Sequence, residues 1–274
     1  MNLYNVSAKD IYAIGDLHGY FESLKNWIQS RDITDSAIIV CGDIGFGFEK
    51  PGYYEQLSNK FEKVCSERNV TVFMFRGNHD DPSYFNGGNK IDAEHFKAIP
   101  DYSVITNGEH NVLCVGGAIS IDRTLRIANM RQDIYKYAIW HNCPLDVAEG
   151  KVTSWTYWKD EKPYFLEDAI DEIQLNDIKI DIVCTHDAPP FCPPFSKDGI
   201  REYLETDKTL DKDIDESRNV FSEILNRLIA DNHPLKRWVY GHYHFHDEME
   251  SDGVIYTLLD MYRVNNNKFD YIRL

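Results

Sequence analysis

A layered α/β fold is predicted by three features of the chain. Short β-branched apolar runs recur six times, amphipathic stretches of helical length lie between several of them, and each run gives way abruptly to a segment of Gly, Asp, His or Asn. Continuous apolar runs of about four to six residues suit strands covered on both faces, because a strand with one wet face alternates instead. Strands of this kind interleaved with helices argue a sheet that is largely parallel, with helices packed on it.

Taken in order, residues 11–14 (IYAI) lead into GDLHG and residues 37–41 (AIIVC) into GDIGFG. Residues 70–75 (VTVFMF) precede RGNHD, residues 111–115 (NVLCV) precede GGAISIDR, residues 180–184 (IDIVC) precede THDAPP, and residues 237–240 (RWVY) precede GHYHF. Helical spacing of apolar residues predicts helices over 20–31, 53–69, 162–176 and 214–232. Residues 254–259 and 268–274 read as an antiparallel pair, because only a short Asn-rich connection at 265–267 separates them, and the sheet is then mixed. Residues 122–160, rich in Trp and Tyr, and residues 189–213, rich in Pro and then in charge, read as long irregular connections over a site. Composition does not shift along the chain, so one domain over residues 1–274 is expected.

Composition narrows the function. With 274 residues, 43% hydrophobic and 13% aromatic, the chain is long and apolar enough to bury a full core. Lys and Arg number 29 against 45 Asp and Glu, a net charge of −16 that repels nucleic acid and anionic membranes. A duplex-binding role is therefore disfavoured, and an anionic substrate needs a local cation. No stretch approaches the ~20 apolar residues of a membrane span, and the opening MNLYNVSAKD lacks a signal-peptide layout. The six cysteines form no C-x-x-C pair, and Cys41, Cys114 and Cys184 lie inside apolar runs. Buried free thiols and a cytoplasmic location follow as expectations.

In sheets of parallel strands, functional groups gather where loops leave the carboxyl ends. Five of the six runs deliver metal-ligating residue types there: Asp16 and His18, then Asp43, then Asn78, His79 and Asp80, then His186, then His242 and His244. The donors are oxygen and imidazole with no thiolate, which suits divalent Mn, Fe, Zn, Co or Ni better than structural zinc or an all-oxygen calcium shell. In Asp16-x-His18 and His242-x-His244 the one-residue spacing turns both side chains of each pair to one side of an extended backbone.

Read together, D-x-H, G-D, G-N-H-D, a lone His and G-H-x-H, in this order from Gly15 to His244, resemble the calcineurin-like metallophosphoesterase superfamily. Each block alone is weak, but five ordered blocks, each after an apolar run, are specific. The resemblance implies a four-layer sandwich of two mixed sheets flanked by helices, with two divalent ions, manganese foremost, where strand ends meet. It implies that Asp16, His18 and His244 hold one ion, that Asn78, His186 and His242 hold the other, and that Asp43 bridges both. It gives His79 a place at the leaving oxygen as cation or general acid, with Asp80 as a neighbour that positions the loop. Two such ions offset by two aspartates and a hydroxide leave a centre of about +1, enough to receive a phosphate on an acidic protein and to drive its in-line hydrolysis.

Arg123 and Arg126 follow the run at 111–115 and are candidates for gripping the phosphate, because guanidinium forks match phosphate oxygens. The sequence departs from the phosphoprotein phosphatase branch, whose second block reads G-D-x-x-D-R-G and whose third ends in Glu. Here Phe46, Gly47 and Asp80 stand at those positions, so protein Ser/Thr phosphatase activity is not expected. The expected reaction is hydrolysis of a small or nucleotide-like phosphate monoester or diester. A nuclease would use the same ions and would need a cation-lined groove, and a non-catalytic scaffold would show lost ligands.

Overall fold

The computed structural model describes residues 2–86, 91–152 and 157–274. Its strands are β1 (Asn2–Asn5), β2 (Asp10–Ile14), β3 (Ser36–Val40), β4 (Val70–Met74), β5 (Phe96–Ala98), β6 (Ser103–Thr106), β7 (Asn111–Val115), β8 (Ile182–Thr185), β9 (Arg237–Tyr240), β10 (Asp247–Ser251), β11 (Val254–Leu258) and β12 (Tyr271–Arg273). The helices are α1 (Phe21–Ser30), α2 (Pro51–Ser66), α3 (Arg123–His141), α4 (Leu145–Glu149), α5 (Glu167–Leu175), α6 (Arg201–Thr206) and α7 (Leu210–Ala230). Two mixed sheets result, one of seven strands in the order β1-β6-β7-β8-β9-β11-β10 and one of five in the order β12-β2-β3-β4-β5.

Alternation along the apolar runs explains the layering. In β2 and β3, Ile11, Ala13, Ala37 and Ile39 point into a core that they share with Val112, Cys114, Ile182, Cys184 and Val239 of the other sheet. Their neighbours Ile14, Ile38 and Val40 point outward, to Leu24, Trp27 and Ile28 of α1 and Leu57, Phe61 and Cys65 of α2. On the far side, Leu113, Val183 and Trp238 meet Ile170 and Ile173 of α5 and Phe221, Ile224 and Leu228 of α7. Both faces of each sheet are covered, which is why the runs are continuously apolar, and the order helix, sheet, sheet, helix is the expected four-layer sandwich. All six cysteines are unpaired, and Cys41, Cys114 and Cys184 lie between the sheets.

Several expectations are corrected. The closing segments do not pair with each other. β11 runs parallel to β9 and antiparallel to β10 in the larger sheet, whereas β12 crosses to the smaller sheet and pairs antiparallel with β2. A short polar connection is compatible with either outcome, and the free edge of β2 decides. Residues 122–160 are not one irregular loop, since α3 and α4 occupy much of them. Only Arg123 and Ala138 of α3 are buried, so no apolar stripe marks it against the core. Residues 189–213 likewise include α6 and the start of α7, and α5 begins at Glu167 rather than near 162.

Phe46 shows what the second block has become. Its ring is fully buried, stacked on Tyr84 at 5.2 Å between centroids, and flanked by Phe21, Tyr54 and Phe85. Truncating a buried aromatic removes transfer energy and leaves a cavity. Phe46→Ala should lower unfolding stability by about 3–5 kcal/mol with an unchanged urea dependence, as read from equilibrium urea denaturation.

Candidate metal centre

The carboxyl ends of β2, β3 and β4 from one sheet and of β8 and β9 from the other open toward one place. Asp16 and His18 follow β2, Asp43 follows β3, Asn78 follows β4, His186 comes directly after β8, and His242 and His244 follow β9. The chain turns there through unfavourable backbone geometry. His18, Asp43, His242 and His244 have φ values of 45°, 46°, 74° and 57°. Such left-handed non-glycine residues cost roughly 1–3 kcal/mol each and persist where surrounding structure over-determines them. Two glycines leave room for the carboxylates: a Cβ on Gly77 would collide with the Asp43 carboxylate, and one on Gly241 with that of Asp16.

The turns converge seven side chains. One donor atom each from Asp16, His18, Asp43 and His244 falls within 4.8 Å of the rest, and the same is true of Asp43, His186 and His242, so Asp43 is common to both groups. Asn78 Oδ1 lies 3.0 Å from His186 Nε2, which is itself 3.2 Å from Asp43 Oδ1. His186 Nδ1–H donates to the Cys41 carbonyl at 2.8 Å, which fixes the tautomer and leaves Nε2 facing the cluster. The backbone N–H of His79 donates to Asp43 Oδ1 and that of His242 to Asp16 Oδ1, at 2.8 and 3.1 Å.

Charge in this pocket is unbalanced in a way that fits cations. Asp16 and Asp43 are fully buried. Burial resists the ionisation of Asp43, yet His186 and His79 hold its carboxyl well below the usual range. Burial likewise opposes Asp16, and His244 and His186 bring it below its ordinary value. Burial alone would depress His186, but Asp43 overrides it and raises the ring to about 10. Two buried carboxylates thus draw a proton onto an imidazole. His242, by contrast, is pushed down to about 4 by burial and by the charge of His186. Asp16 Oδ2 is buried without a directed hydrogen bond among the described residues, although His244 Nε2 stands 3.1 Å away. An orphaned carboxylate oxygen, neutral imidazoles and an amide oxygen are what divalent transition ions take as ligands, and metal binding would displace the proton on His186. The residues present fit a pair of such ions.

The other expected site residues divide. His79 is partly exposed at the edge of the centre, with Nε2 3.9 Å from Asp43 Oδ2. Burial lowers its ring to about 4, with Asp43 opposing and Arg126 reinforcing the shift. Arg126 sets Nη1 and Nη2 2.9 and 3.0 Å from the two ring nitrogens of His79, while its Nε donates to Asp122 at 2.6 Å. Asp80 is buried and accepts from the backbone N–H groups of Ile44, Gly45, Phe46 and Gly77, so it ties the second block's turn to the third. Burial and the nearby Asp43 push its carboxyl up to about 6.

Arg123 is placed otherwise than expected. Its Nε and Nη2 donate to Asp207 at 2.6 and 3.1 Å, and Nη2 also reaches Asp213 at 2.6 Å and Thr209 at 2.9 Å. The guanidinium is thereby committed to tying α3 to the start of α7. Sequence reading also passed over Ser120, whose hydroxyl accepts from Asn78 Nδ2 at 2.9 Å. The only signal for it was its place in GGAISIDR. Trp155, in the Trp- and Tyr-rich stretch at 122–160, lies outside the described residues.

Two sheets whose strand ends surround a cluster of carboxylates and imidazoles define a layered α/β protein with a candidate metal centre. The sequence profile of the calcineurin-like phosphoesterases matches residues 9–246, and the chain belongs to that family. It is accordingly a phosphoric-ester hydrolase of a dimetal-dependent family. No curated protein matches it. A solved crystal structure superposes with a TM-score of 0.53 at 11% identity, over 97% of this chain and 95% of that one. A dimetal phosphatase from Danio rerio gives 0.45 at 11% identity, over 94% and 88%. A phosphopantetheinyl hydrolase from Mycobacterium tuberculosis gives 0.42 at 16%, over 93% and 91%. Likenesses at these identities concern the fold alone. Among the described residues, no helix is long and apolar enough to cross a membrane.

The Arg123 clamp has a pH signature. Hydrogen bonds from Arg123 hold the Asp207 carboxyl well below the usual carboxylate range. A depressed folded pKa contributes stability above the unfolded value of ~3.9, and that contribution is lost as pH falls through the folded value. Arg123→Met removes the cation that pairs with Asp207, while Asp213 keeps Lys162 at 3.0 Å, and should cost about 2 kcal/mol at pH 7. The gap between variant and wild type should narrow at pH values below ~3.9, as measured by urea denaturation at both pH values.

Proposed function

We propose that the chain is a single domain over residues 1–274 that hydrolyses a small or nucleotide-like phosphate ester at a pair of divalent ions, manganese foremost. The observation that carries the reading is that Asp43 belongs to both donor groups at once. In this assignment Asp16, His18 and His244 hold one ion, Asn78, His186 and His242 hold the other, and Asp43 is shared. When bound, the ions supply Lewis acidity, withdrawing charge from phosphoryl oxygens and lowering the pKa of water. The protein's own groups do the rest. Backbone N–H donors from His79 and His242 orient the two aspartates, and the Cys41 carbonyl holds His186 in the ligating tautomer.

His79 takes the leaving-group side, since it stands at the open edge of the cluster beside Asp43 and outside both donor groups. Arg126, against the His79 ring, is the cation placed to grip a phosphoryl oxygen. Arg123 and Asp80 act at one remove, by fixing α3 and the second-block turn. A net charge of −16 favours a compact substrate over a polynucleotide, which needs an extended cationic track. Six unpaired cysteines, five of them buried, fit a reducing cytoplasm.

Hydrolysis of para-nitrophenyl phosphate and bis-para-nitrophenyl phosphate with manganese, abolished by EDTA, is the expected outcome; absence of both activities across a divalent-metal panel overturns the reading. Asp43→Asn should lower the occupancy of both ions together in elemental analysis, because one shared anionic ligand is removed. His79→Ala should retain both ions and lose about 10²–10⁴-fold in turnover, and a parallel loss of metal would make it a ligand instead.

A further inference from the structure

We propose that Glu161 is a positioning residue that acts through Ser120 to fix which end of the Asn78 amide faces the metal centre; the proposal rests on the dimetal reading above. The chain of contacts is directional. Ser120 Oγ–H donates to Glu161 Oε2 at 2.6 Å, and Ser120 N–H donates to Glu161 Oε1 at 3.1 Å. With its only proton given to the carboxylate, the Ser120 hydroxyl is left as an acceptor toward Asn78. It takes Nδ2–H at 2.9 Å, and Oδ1 is thereby turned toward His186 Nε2 at 3.0 Å. A reversed amide would present N–H groups to a cation. Ionised, the carboxylate selects against that reversal because it can then only accept.

The segment that carries Glu161 is built to stay in place. Arg76 donates to the carbonyls of Asp160, Glu161 and Lys162 at 2.9, 3.0 and 2.8 Å, and its Nε donates to Asp101 at 2.9 Å. Ala118 N–H donates to the Glu161 carbonyl at 3.0 Å. A Cβ on Gly117 would press on the backbone of Glu161 and Pro163. Arg76 stands two residues before Asn78, so the turn that presents the ligand also anchors the segment that orients it. Burial pushes the Glu161 carboxyl up to about 7 against the Ser120 hydrogen bonds and the charges of Arg123 and Arg126. Packing alone would be served as well by a neutral side chain, so a buried acid at this point is explained by what it orients.

Glu161→Gln, Ser120→Ala and Ser120→Thr in the full chain, stripped of metal and titrated with Mn²⁺ by calorimetry with elemental analysis, test this. Glutamine can donate, so the hydroxyl is no longer forced to accept from Asn78. The expected result is that Glu161→Gln and Ser120→Ala weaken one of two Mn²⁺ sites by about 10–100-fold and leave the other within about twofold. Ser120→Thr, which keeps the hydroxyl, should restore the weakened site. Unchanged affinity at both sites overturns the proposal, and so does equal weakening of both, which marks a merely structural role. A wild-type chain that binds no pair of Mn²⁺ ions overturns the dimetal reading itself, an outcome separate from either of these.

Discussion

Two aspartate carboxylates, Asp16 and Asp43, are buried where the strand ends of both sheets meet, and most of the surrounding structure answers that one constraint. Taking a carboxylate out of water costs several kcal/mol even after relaxation, so a pair of them a few ångströms apart is tolerated only with compensation. Backbone N–H groups supply part of it, and imidazoles from three separate loops supply more. What those groups do not satisfy is drawn from His186, which binds a proton far more tightly than a buried imidazole ordinarily does. The left-handed turns at His18, Asp43, His242 and His244 are a second cost of bringing donors to the same point. Neither cost serves the hydrophobic core, and both fit a site built to hold cations.

Holding those turns falls to buried polar side chains that bond to the backbone of loops. Asp80 collects four N–H groups from the second and third blocks. Arg76 collects three carbonyls of the segment at 160–162. Arg218 of α7 collects four, from Ala188, Pro189, Cys192 and Pro194, in the loop that follows His186. Loops at a strand end lack ladder partners, and their backbone groups must be paired some other way when buried. Each of these residues pairs several at once. The loops at the site are therefore tied down by buried side chains where no strand ladder can hold them.

Legibility in the sequence follows the same division. Asp16, His18, Asp43, Asn78, His186, His242 and His244 were visible because each lies within a few residues of an apolar run, and strand plus turn is a local signal. That the strands are covered on both faces was visible because such strands lose their alternation, whereas the four layers came only from the family resemblance. Arg123 and Arg126 were not separable, since three residues apart on one helix they meet different partners, Asp207 and His79, which only tertiary contacts decide. Glu161 carried no motif at all. Its role depends on Ser120, 41 positions earlier in the chain, and on Arg76 earlier still. Helix α3 escaped because its residues answer to solvent and to ion pairs rather than to a core, so the periodicity that marks α1 and α7 is missing. The destination of β12 was decided by an unoccupied sheet edge, which no local pattern records.

The acidity of the chain also shapes what the proposed centre can accept. A net charge of −16 sets up a repulsive field around the molecule that falls off over roughly a Debye length, about 8 Å at physiological salt. A ligand with many phosphates must bring most of them through that field at once, whereas a ligand with one phosphate group carries little charge into it. Within the pocket two divalent ions, if held there, would outweigh Asp16 and Asp43 and reverse the balance, with Arg126 against His79 beside them. A field of that kind would favour substrates whose charge is concentrated at the reacting phosphorus over those whose charge is spread along a chain.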